Sequence, residues 1–183
     1  MVDRWTAGAR AVMAGSYEYA RGDGSSEIGA EHLFQALLDD RVGAVLLASV
    51  AGQPERGQLM AEIRQARHNG GVTGAETEAL AGLGIDVDLV VDRIEQRLGA
   101  GALGDTGTRP LGRWRPAVSG PALRVLEEAQ RQRAESGGRS LGVEELVLGL
   151  VSVPGVVAES LARRGVTAAT VRAARPVGRG GRQ

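Results

Sequence analysis

The sequence predicts an all-α protein built from two pseudo-repeated helical units with extra helices between them, and three observations lead to this prediction. The stretch Ile28 to Asp40, "IGAEHLFQALLDD", shares its pattern with Leu141 to Val153, "LGVEELVLGLVSV", at an offset of 141 − 28 = 113 residues. Apolar residues recur at helical spacing in both stretches. Aromatic residues make up only 3% of the chain. The core must therefore be built from Leu, Val, Ile and Ala, which favours closely packed helices.

The repeat extends well beyond these two stretches. At the same offset, residues 5–52 align without a gap to residues 118–165, and eight of the 48 pairs are identical. Such low identity decides little by itself, but residue class agrees along the alignment, as in Ala9/Ala122, Val12/Val125, Gly24/Gly137, Leu33/Leu146 and Leu37/Leu150. The paired glycines mark the place where each first helix should end. We therefore expect Leu33 and Leu146 to occupy equivalent environments.

Capping signals place the helices within each unit. A hydroxyl, Thr6 or Ser119, follows an apolar residue just before the first helical pattern. The second helix should follow Gly29 or Gly142, and a third should begin near Val42 or Gly155. Two further helices are predicted between the units. One of them turns Leu59, Met60 and Ile63 inward. The other spans 86–98, where apolar residues recur at Leu89, Val90, Ile94 and Leu98.

These elements predict four regions along the chain. Residues 1–98 form the first unit with its inserted helices, and residues 118–174 form the second unit. The intervening segment 99–117 is rich in Gly and Pro and is typical of a linker. Residues 175–183 are predicted to be a flexible tail rich in Arg and Gly.

Composition excludes several classes of function. The chain has 22 basic and 22 acidic residues, so no net charge attracts nucleic acid or a membrane surface. All the basic residues are arginine, which removes the phosphate-binding lysine of a P-loop ATPase and any Schiff-base chemistry. Cysteine is absent too, which excludes thiolate catalysis and a disulfide framework. We expect a cytoplasmic, monomeric, non-catalytic protein with no metal, no cofactor and no membrane association.

The motifs resemble the Clp N-terminal repeat family, in particular the double repeat at the N-terminus of ClpC-type and ClpA-type unfoldases. The resemblance rests on the hydroxyl-led first helix, its glycine stop, the run "IGAEHLFQALL" and the duplication of the whole unit. It covers roughly residues 4–174. The segment "GGVTGAETEALAGLGIDVDLVVDRIEQRLG" is also similar to that of free-standing members from actinobacteria.

The resemblance implies an all-helical domain that binds adaptors and substrates of a degradation machine. Some family members bind phosphoarginine in each repeat, with the helix 1 hydroxyl facing phosphate and the helix 2 glutamate facing guanidinium. Those roles map onto Thr6 with Glu31 in the first unit and onto Ser119 with Glu144 in the second. Cyclic-peptide antibiotics bind such domains through aromatic side chains near helix 1, where this chain has Trp5 and Val118.

Each predicted ligand residue also has a purely structural role open to it. A glutamate in the first turn complements the helix dipole without any ligand, and a hydroxyl at this place caps the helix without any phosphate. His32 is expected to be a capping or packing histidine rather than a catalytic base.

The sequence departs from the family pattern in ways that should weaken phosphate binding. Gly8 and Pro121 stand where the family usually has a basic residue two places after the hydroxyl. The threonine that precedes the family glutamate is replaced by Ala30 and Val143. The histidine that follows the glutamate is kept as His32 in the first unit and becomes Glu145 in the second.

The favoured function is therefore a protein- and peptide-binding module of the Clp system. It would act as an adaptor, a decoy or a scavenger of substrates or of unfoldase-directed cyclic peptides, with Clp components, their substrates or arginine-phosphorylated proteins as partners. The alternative is a nucleic-acid-associated regulator that uses tail arginines, Arg172, Arg175, Arg179 and Arg182.

Overall fold

The computed structural model describes residues 5–51, 56–99, 103 and 117–174 of the 183-residue chain. These residues form ten α-helices and two strands of two residues each. In chain order they are α1 (Ala7–Gly22), β1 (Glu27–Ile28), α2 (Ala30–Asp39), α3 (Arg41–Ala51), α4 (Arg56–His68), α5 (Gly74–Gly82), α6 (Val87–Leu98), β2 (Ala117–Val118), α7 (Gly120–Glu135), α8 (Val143–Ser152), α9 (Val156–Ala162) and α10 (Ala168–Ala174). The predicted all-α class is confirmed.

The two units repeat in structure at the spacing that the sequence predicts. Helices α1 and α7 each have 16 residues and α2 and α8 each have 10, and each pair begins 113 residues apart. After the first helix of each unit, Gly24 and Gly137 adopt φ of 68° and 69°. The following N–H, of Ser25 or Gly138, bonds back to the carbonyl five residues earlier at 2.8 or 3.0 Å. Both predicted helix stops are thus left-handed glycine turns of one kind.

The strands join the units crosswise. Strand β1 pairs in parallel with β2, with Ile28 opposite Val118, and an isolated parallel bridge joins Trp5 to Leu141. Because Val118 corresponds to Trp5 and Leu141 to Ile28 at the 113-residue offset, the two pairings are the same contact with the units exchanged. The start of each unit's first helix therefore lies beside the start of the other unit's second helix.

One hydrophobic core runs through both units. Leu33 and Leu146 are each 1% exposed and both belong to this core, which agrees with the predicted equivalence of the two positions. The same holds for other pairs in register, since both members of each are buried: Val12/Val125, Phe34/Val147 and Leu37/Leu150. The apolar spacing read from the sequence thus marks the inward faces of α1, α2, α7 and α8.

Gly149 is required where α7 and α8 cross. A Cβ at this position would lie 2.5 Å from the carbonyl oxygen of Val125 and 3.0 Å from the backbone N of Ala129. Backbone atoms of a buried helix cannot move aside cheaply, so we expect Gly149→Ala to lower the free energy of unfolding by about 1–3 kcal/mol. Thermal denaturation followed by circular dichroism measures this loss.

Gly57 provides the control for the Gly149 prediction. It lies in α4, and outside its own stretch of helix no atom of the described residues lies within 4 Å of the Cβ position. Gly57→Ala should leave stability unchanged or raise it by up to about 1 kcal/mol, because alanine has the higher helix propensity. Equal melting temperatures for the two variants would contradict the close crossing at Gly149.

The helices between the units match the sequence prediction in part. Helix α4 buries Leu59, Met60 and Ile63 as predicted. Helix α6 is present as predicted, but most of the apolar residues that marked it in the sequence are not buried. Val87 and Val91 are buried there, whereas Leu89, Val90 and Leu98 are at least 45% exposed. The periodicity of this short helix allows either stripe, and only packing decides between them. Helices α5 and α10 were not predicted individually.

Several sequence predictions fall outside the described residues. The predicted linker at 99–117 is described only at Gly99, Leu103 and Ala117, and the predicted tail at 175–183 not at all. No single described helix is long and apolar enough to cross a membrane. Helices α8 and α9 meet that test together, by length and composition only, but they are bent by 93° at the break between them.

Candidate functional site

The start of α2 opens onto a groove between the units, with a cavity of about 690 Å³. We call this the inter-unit groove. Its wall from the first unit holds Ala30 and Glu31 at the start of α2 and Ile63 and Arg67 on α4. The other wall comes from the first turns of α7, with Pro121 and Arg124, and from residues 150–159 with Ala162. The groove therefore combines an apolar surface with a few charged side chains.

Ion pairs fix the outer wall of the groove. On α9, Glu159 accepts the backbone N–H of Ala75 at 2.9 Å and lies 3.2 Å from Arg163. The next residue, Arg164, donates to Glu62 on α4 at 2.6 and 3.0 Å. The N-terminus of α5 and the body of α4 are thereby held against α9, so these inserted helices close one side of the groove.

Glu31 folds back over the backbone of the glycine that precedes its helix. A Cβ at Gly29 would overlap the Glu31 carboxylate, so a larger residue there would force the Glu31 side chain to move. The Glu31 side chain is 14% exposed, and its Oε1 lies 3.0 Å from Nη1 of Arg67. Arg67 also donates weakly to Ser25 Oγ at 3.4 Å. The predicted ligand carboxylate thus reaches the groove with a guanidinium already bound.

His32 caps α2 from inside the core. Its side chain is fully buried, and its Nδ1 accepts the N–H of Gly29 at 2.8 Å. Nε2 lies 3.3 Å from Asp23 Oδ2 but makes no hydrogen bond in the described part of the chain. Burial lowers the pKa of His32, and the nearby charge of Arg67 lowers it further, against the opposite effects of Glu31 and Asp23. The capping role expected for this residue is what the geometry shows.

The second unit makes the same cap with a different residue. Glu145 stands 113 residues after His32 and accepts the N–H of Gly142 through Oε2 at 2.9 Å. The exchange of histidine for glutamate noted in the sequence therefore keeps one hydrogen bond, in the manner of a capping box. Glu144 is half-buried in the first turn of α8 and is not among the described residues that line the inter-unit groove.

Both predicted hydroxyls are helix N-caps. Thr6 Oγ1 accepts the N–H of Ala9 at 3.2 Å, and Ser119 Oγ accepts the N–H of Ala122 at 3.3 Å. Thr6 is exposed and Ser119 is 8% exposed. These hydrogen bonds satisfy helix N–H groups. A phosphate at either place would have to share the helix end with the hydroxyl that caps it.

The expected pairing of hydroxyl and carboxylate within one unit is corrected by the crossed strands. The N–H of Thr6 donates to the carbonyl of Leu141 at 2.9 Å, so Thr6 lies by the start of α8. The N–H of Ser119 donates to the carbonyl of Ile28 at 3.1 Å, which places Ser119 by the start of α2. Thr6 is therefore neighbour to the segment of Glu144, and Ser119 to that of Glu31.

The residues that depart from the family pattern also lie near one another across the two units. A Cβ at Gly8 would lie 2.9 Å from Cγ2 of Val143, so this valine closes the space a side chain at position 8 would need. At the other junction, Pro121 and Ala30 both line the inter-unit groove. Each junction thus brings together one position without the basic residue, Gly8 or Pro121, and one position without the threonine, Val143 or Ala30.

The two residues proposed for cyclic-peptide contact differ in surroundings. Trp5 is partly buried against the core, and its carbonyl accepts a hydrogen bond from Arg10 at 2.5 Å. Val118 is 38% exposed at the end of β2. Neither is among the described residues that line the groove. Within the described ranges, no group of three or more His, Cys, Asp or Glu residues could hold a metal ion.

Comparisons with known proteins show the fold. No protein-family model matches the chain, and no curated protein matches it. A solved structure described as "Preliminary structural investigations of a malarial protein secretion system" superposes with a TM-score of 0.56 at 14% identity, covering 93% of this chain and 90% of that chain. The two chains share a fold. The N-terminal domain of the caseinolytic protease associated chaperone ClpD from Arabidopsis thaliana matches with a TM-score of 0.49 at 16% identity, covering 95% and 93%.

Arg67 is the groove residue that sequence reasoning missed. It stands in "QLMAEIRQARHNGG", where the sequence pattern indicated the inward positions Leu59 and Ile63 but not Arg67, four residues after Ile63. Spacing by four residues from a buried position was the available signal. Its partner, Glu31, lies 36 residues earlier, a separation that local periodicity does not reveal.

Proposed function

We propose that this chain is a non-catalytic protein- and peptide-binding module related to the Clp protease system, acting as an adaptor, decoy or scavenger. The observation that carries the proposal is the inter-unit groove, with the Glu31 carboxylate at its wall. Apolar residues line much of the groove beside that carboxylate, which suits a peptide segment with one cationic side chain. The sequence resemblance supplies the link to the Clp system, and the shared fold is compatible with it.

Phosphoarginine and arginine side chains are the ligand chemistry that this proposal favours. A carboxylate pairs with a planar guanidinium through charge-assisted hydrogen bonds, and Glu31 already forms an ion pair with the guanidinium of Arg67. The missing basic residues and the occupied N-caps at Thr6 and Ser119 argue that phosphate adds little. We expect peptides to depend mainly on the guanidinium contact and on apolar surface. Cyclic peptides and contact through Trp5 and Val118 remain part of the proposal.

No observation on the described residues favours the nucleic-acid alternative. Arg172 donates to Gln132 at 3.2 Å, which ties it to α7. The other tail arginines lie outside the described residues. Direct titration with duplex DNA at two salt concentrations tests the alternative, since phosphate contacts weaken steeply with salt.

Glu31→Ala tests the proposed site. We expect this variant to bind an arginine-bearing peptide about tenfold more weakly than the wild type, because a charge-assisted contact contributes about 1.5–3 kcal/mol and Arg67 must leave first. Stability should fall by no more than about 1 kcal/mol, the usual size of an ion pair or dipole contribution on a protein surface. Calorimetry with the peptide and with free phosphoarginine measures the first effect, and thermal melting measures the second.

Glu27 is the matched control for this experiment. It is exposed on β1, close in sequence to Glu31, and does not line the groove in the described structure. Glu27→Ala should bind the peptide as the wild type does. If Glu31→Ala instead lowers the melting temperature and leaves binding unchanged, the glutamate serves the helix alone. Direct titration of a purified Clp unfoldase then tests the adaptor role separately.

A further inference from the structure

We propose that Arg67 is an internal occupant of the Glu31 site, so that a ligand guanidinium binds only by displacing it. The proposal rests on the proposed function of the groove and adds a residue that sets its affinity. Nη1 of Arg67 lies 3.0 Å from Oε1 of Glu31, and both side chains line the inter-unit groove. The protein thus holds its own guanidinium where an arginine of a peptide would bind.

The ion pair between Arg67 and Glu31 is partly shielded from solvent. The Glu31 side chain is 14% exposed and that of Arg67 is 31% exposed, so solvent screens this pair less than a fully exposed one. Arg67 also contributes to the lowered pKa of the buried His32 next to Glu31, which shows that its charge acts on the start of α2. An incoming cation therefore meets a carboxylate that is already partly neutralised.

Arg67 can leave without unfolding the helix that carries it. Leu59 and Ile63 anchor α4 in the core at 0% and 1% exposure, whereas Arg67 is the last residue but one of the helix. Gly70 and Gly71, with φ of 73° and 81°, form the turn that follows. The arginine side chain has several rotatable bonds, so rotation alone could move the guanidinium into solvent. The occupied and open states of the Glu31 site therefore differ only in the position of the Arg67 side chain.

The occupant comes from outside the repeat. Arg67 lies outside the residues that the 113-residue offset aligns, 5–52 and 118–165. The repeat itself therefore does not supply this ion pair to Glu144. Control of ligand entry at Glu31 belongs to the inserted helix α4 of the first unit.

The size of the effect follows from competition. When a side chain occupies a site for most of the time, the apparent dissociation constant rises by the inverse of the free fraction. Partly exposed ion pairs usually hold their closed state with only modest preference. We therefore expect Arg67→Gln to bind an arginine-bearing peptide about three- to tenfold more tightly than the wild type.

The experiment uses the full chain and two fluorescein-labelled peptides of glycine and apolar residues. One peptide carries a central arginine, and the other carries citrulline, which has the same shape without the charge. Fluorescence anisotropy should show tighter binding of the arginine peptide to Arg67→Gln and unchanged binding of the citrulline peptide. Arg64→Gln removes the same charge from an exposed position of α4 and should bind both peptides as the wild type does.

A double variant distinguishes competition from a general effect. In a Glu31→Ala background there is nothing to compete for, so adding Arg67→Gln should leave the arginine peptide's affinity unchanged. If Arg67→Gln alone binds the arginine peptide no more tightly than the wild type, or if both peptides gain equally, Arg67 is not a competitor for Glu31. If neither peptide binds to the wild type or to Arg67→Gln, the proposed function is wrong, and this inference falls with it.

Discussion

Phe34→Ala should cost about 3–5 kcal/mol of the free energy of unfolding, the largest effect that we expect from any single substitution in the described structure. Phe34 is the single phenylalanine of the chain, it is fully buried, and it belongs to the core shared by both units. The total free energy of unfolding of a domain is commonly only about 5–15 kcal/mol. The melting temperature should fall by roughly 6–20 °C, measured by calorimetry or circular dichroism.

Two further variants show that the loss comes from an unfilled core. Phe34→Leu retains most of the volume and should cost far less than the alanine variant. Leu83→Ala removes a large apolar side chain that is 77% exposed, so its melting temperature should stay close to that of the wild type. A similar loss in Phe34→Ala and Leu83→Ala would contradict the position of Phe34 in the core.

The helical units could be predicted from the sequence because the patterns that specify each helix lie within short stretches and occur in both units. Helix spacing identified the inward faces, and glycines in register identified the stops at Gly24 and Gly137. The single short helix α6 had no second copy for comparison, and its apolar spacing did not show which residues are buried. Duplication thus served as the check that a lone helix lacks.

The crossed contact between the units could not be predicted in the same way. A repeat register states which residues are equivalent, as Thr6 and Ser119 are, but not which residues are neighbours. Pairing Thr6 with Glu31 assumed that each unit completes its own site. Two backbone hydrogen bonds across the units, from Thr6 to Leu141 and from Ser119 to Ile28, show the exchange instead.

The crossed contact between the units gives one physical account of both the missing basic residue and the missing threonine. Gly8 and Val143 pack together at one junction, and Ala30 and Pro121 line the groove at the other. A larger residue at position 8 would collide with the valine. A basic side chain at position 8 alone would therefore not restore a phosphate site; the facing residue must change with it.

His32→Ala should produce the second-largest loss, about 2–4 kcal/mol. The substitution removes a fully buried ring and leaves the N–H of Gly29 without its acceptor, and an unsatisfied buried donor costs about 1–3 kcal/mol by itself. His32→Gln offers an amide oxygen at the same capping position and should recover part of the loss. Denaturant unfolding at pH 7.5 compares the three proteins.

The same residue makes stability depend on pH, and the sign follows from the direction of its pKa. Because burial lowers the pKa of His32 below its ordinary value of 6.5, the unfolded chain binds a proton more readily than the folded one. Its stabilising effect is therefore complete above pH 6.5 and is lost as the pH falls through that value towards the folded pKa. Protonation also removes the Nδ1 lone pair that accepts the N–H of Gly29.

Charges around the ring set the extent of that loss without changing its sign. Glu31 and Asp23 favour the protonated form, whereas burial and the charge of Arg67 oppose it more strongly. Between pH 7.5 and 5.5 the wild type should lose up to about 1.4 kcal/mol per pH unit within the titration window. His32→Gln should lose much less over the same range. If the wild type and His32→Gln lose stability equally as the pH falls, the pH dependence does not come from His32.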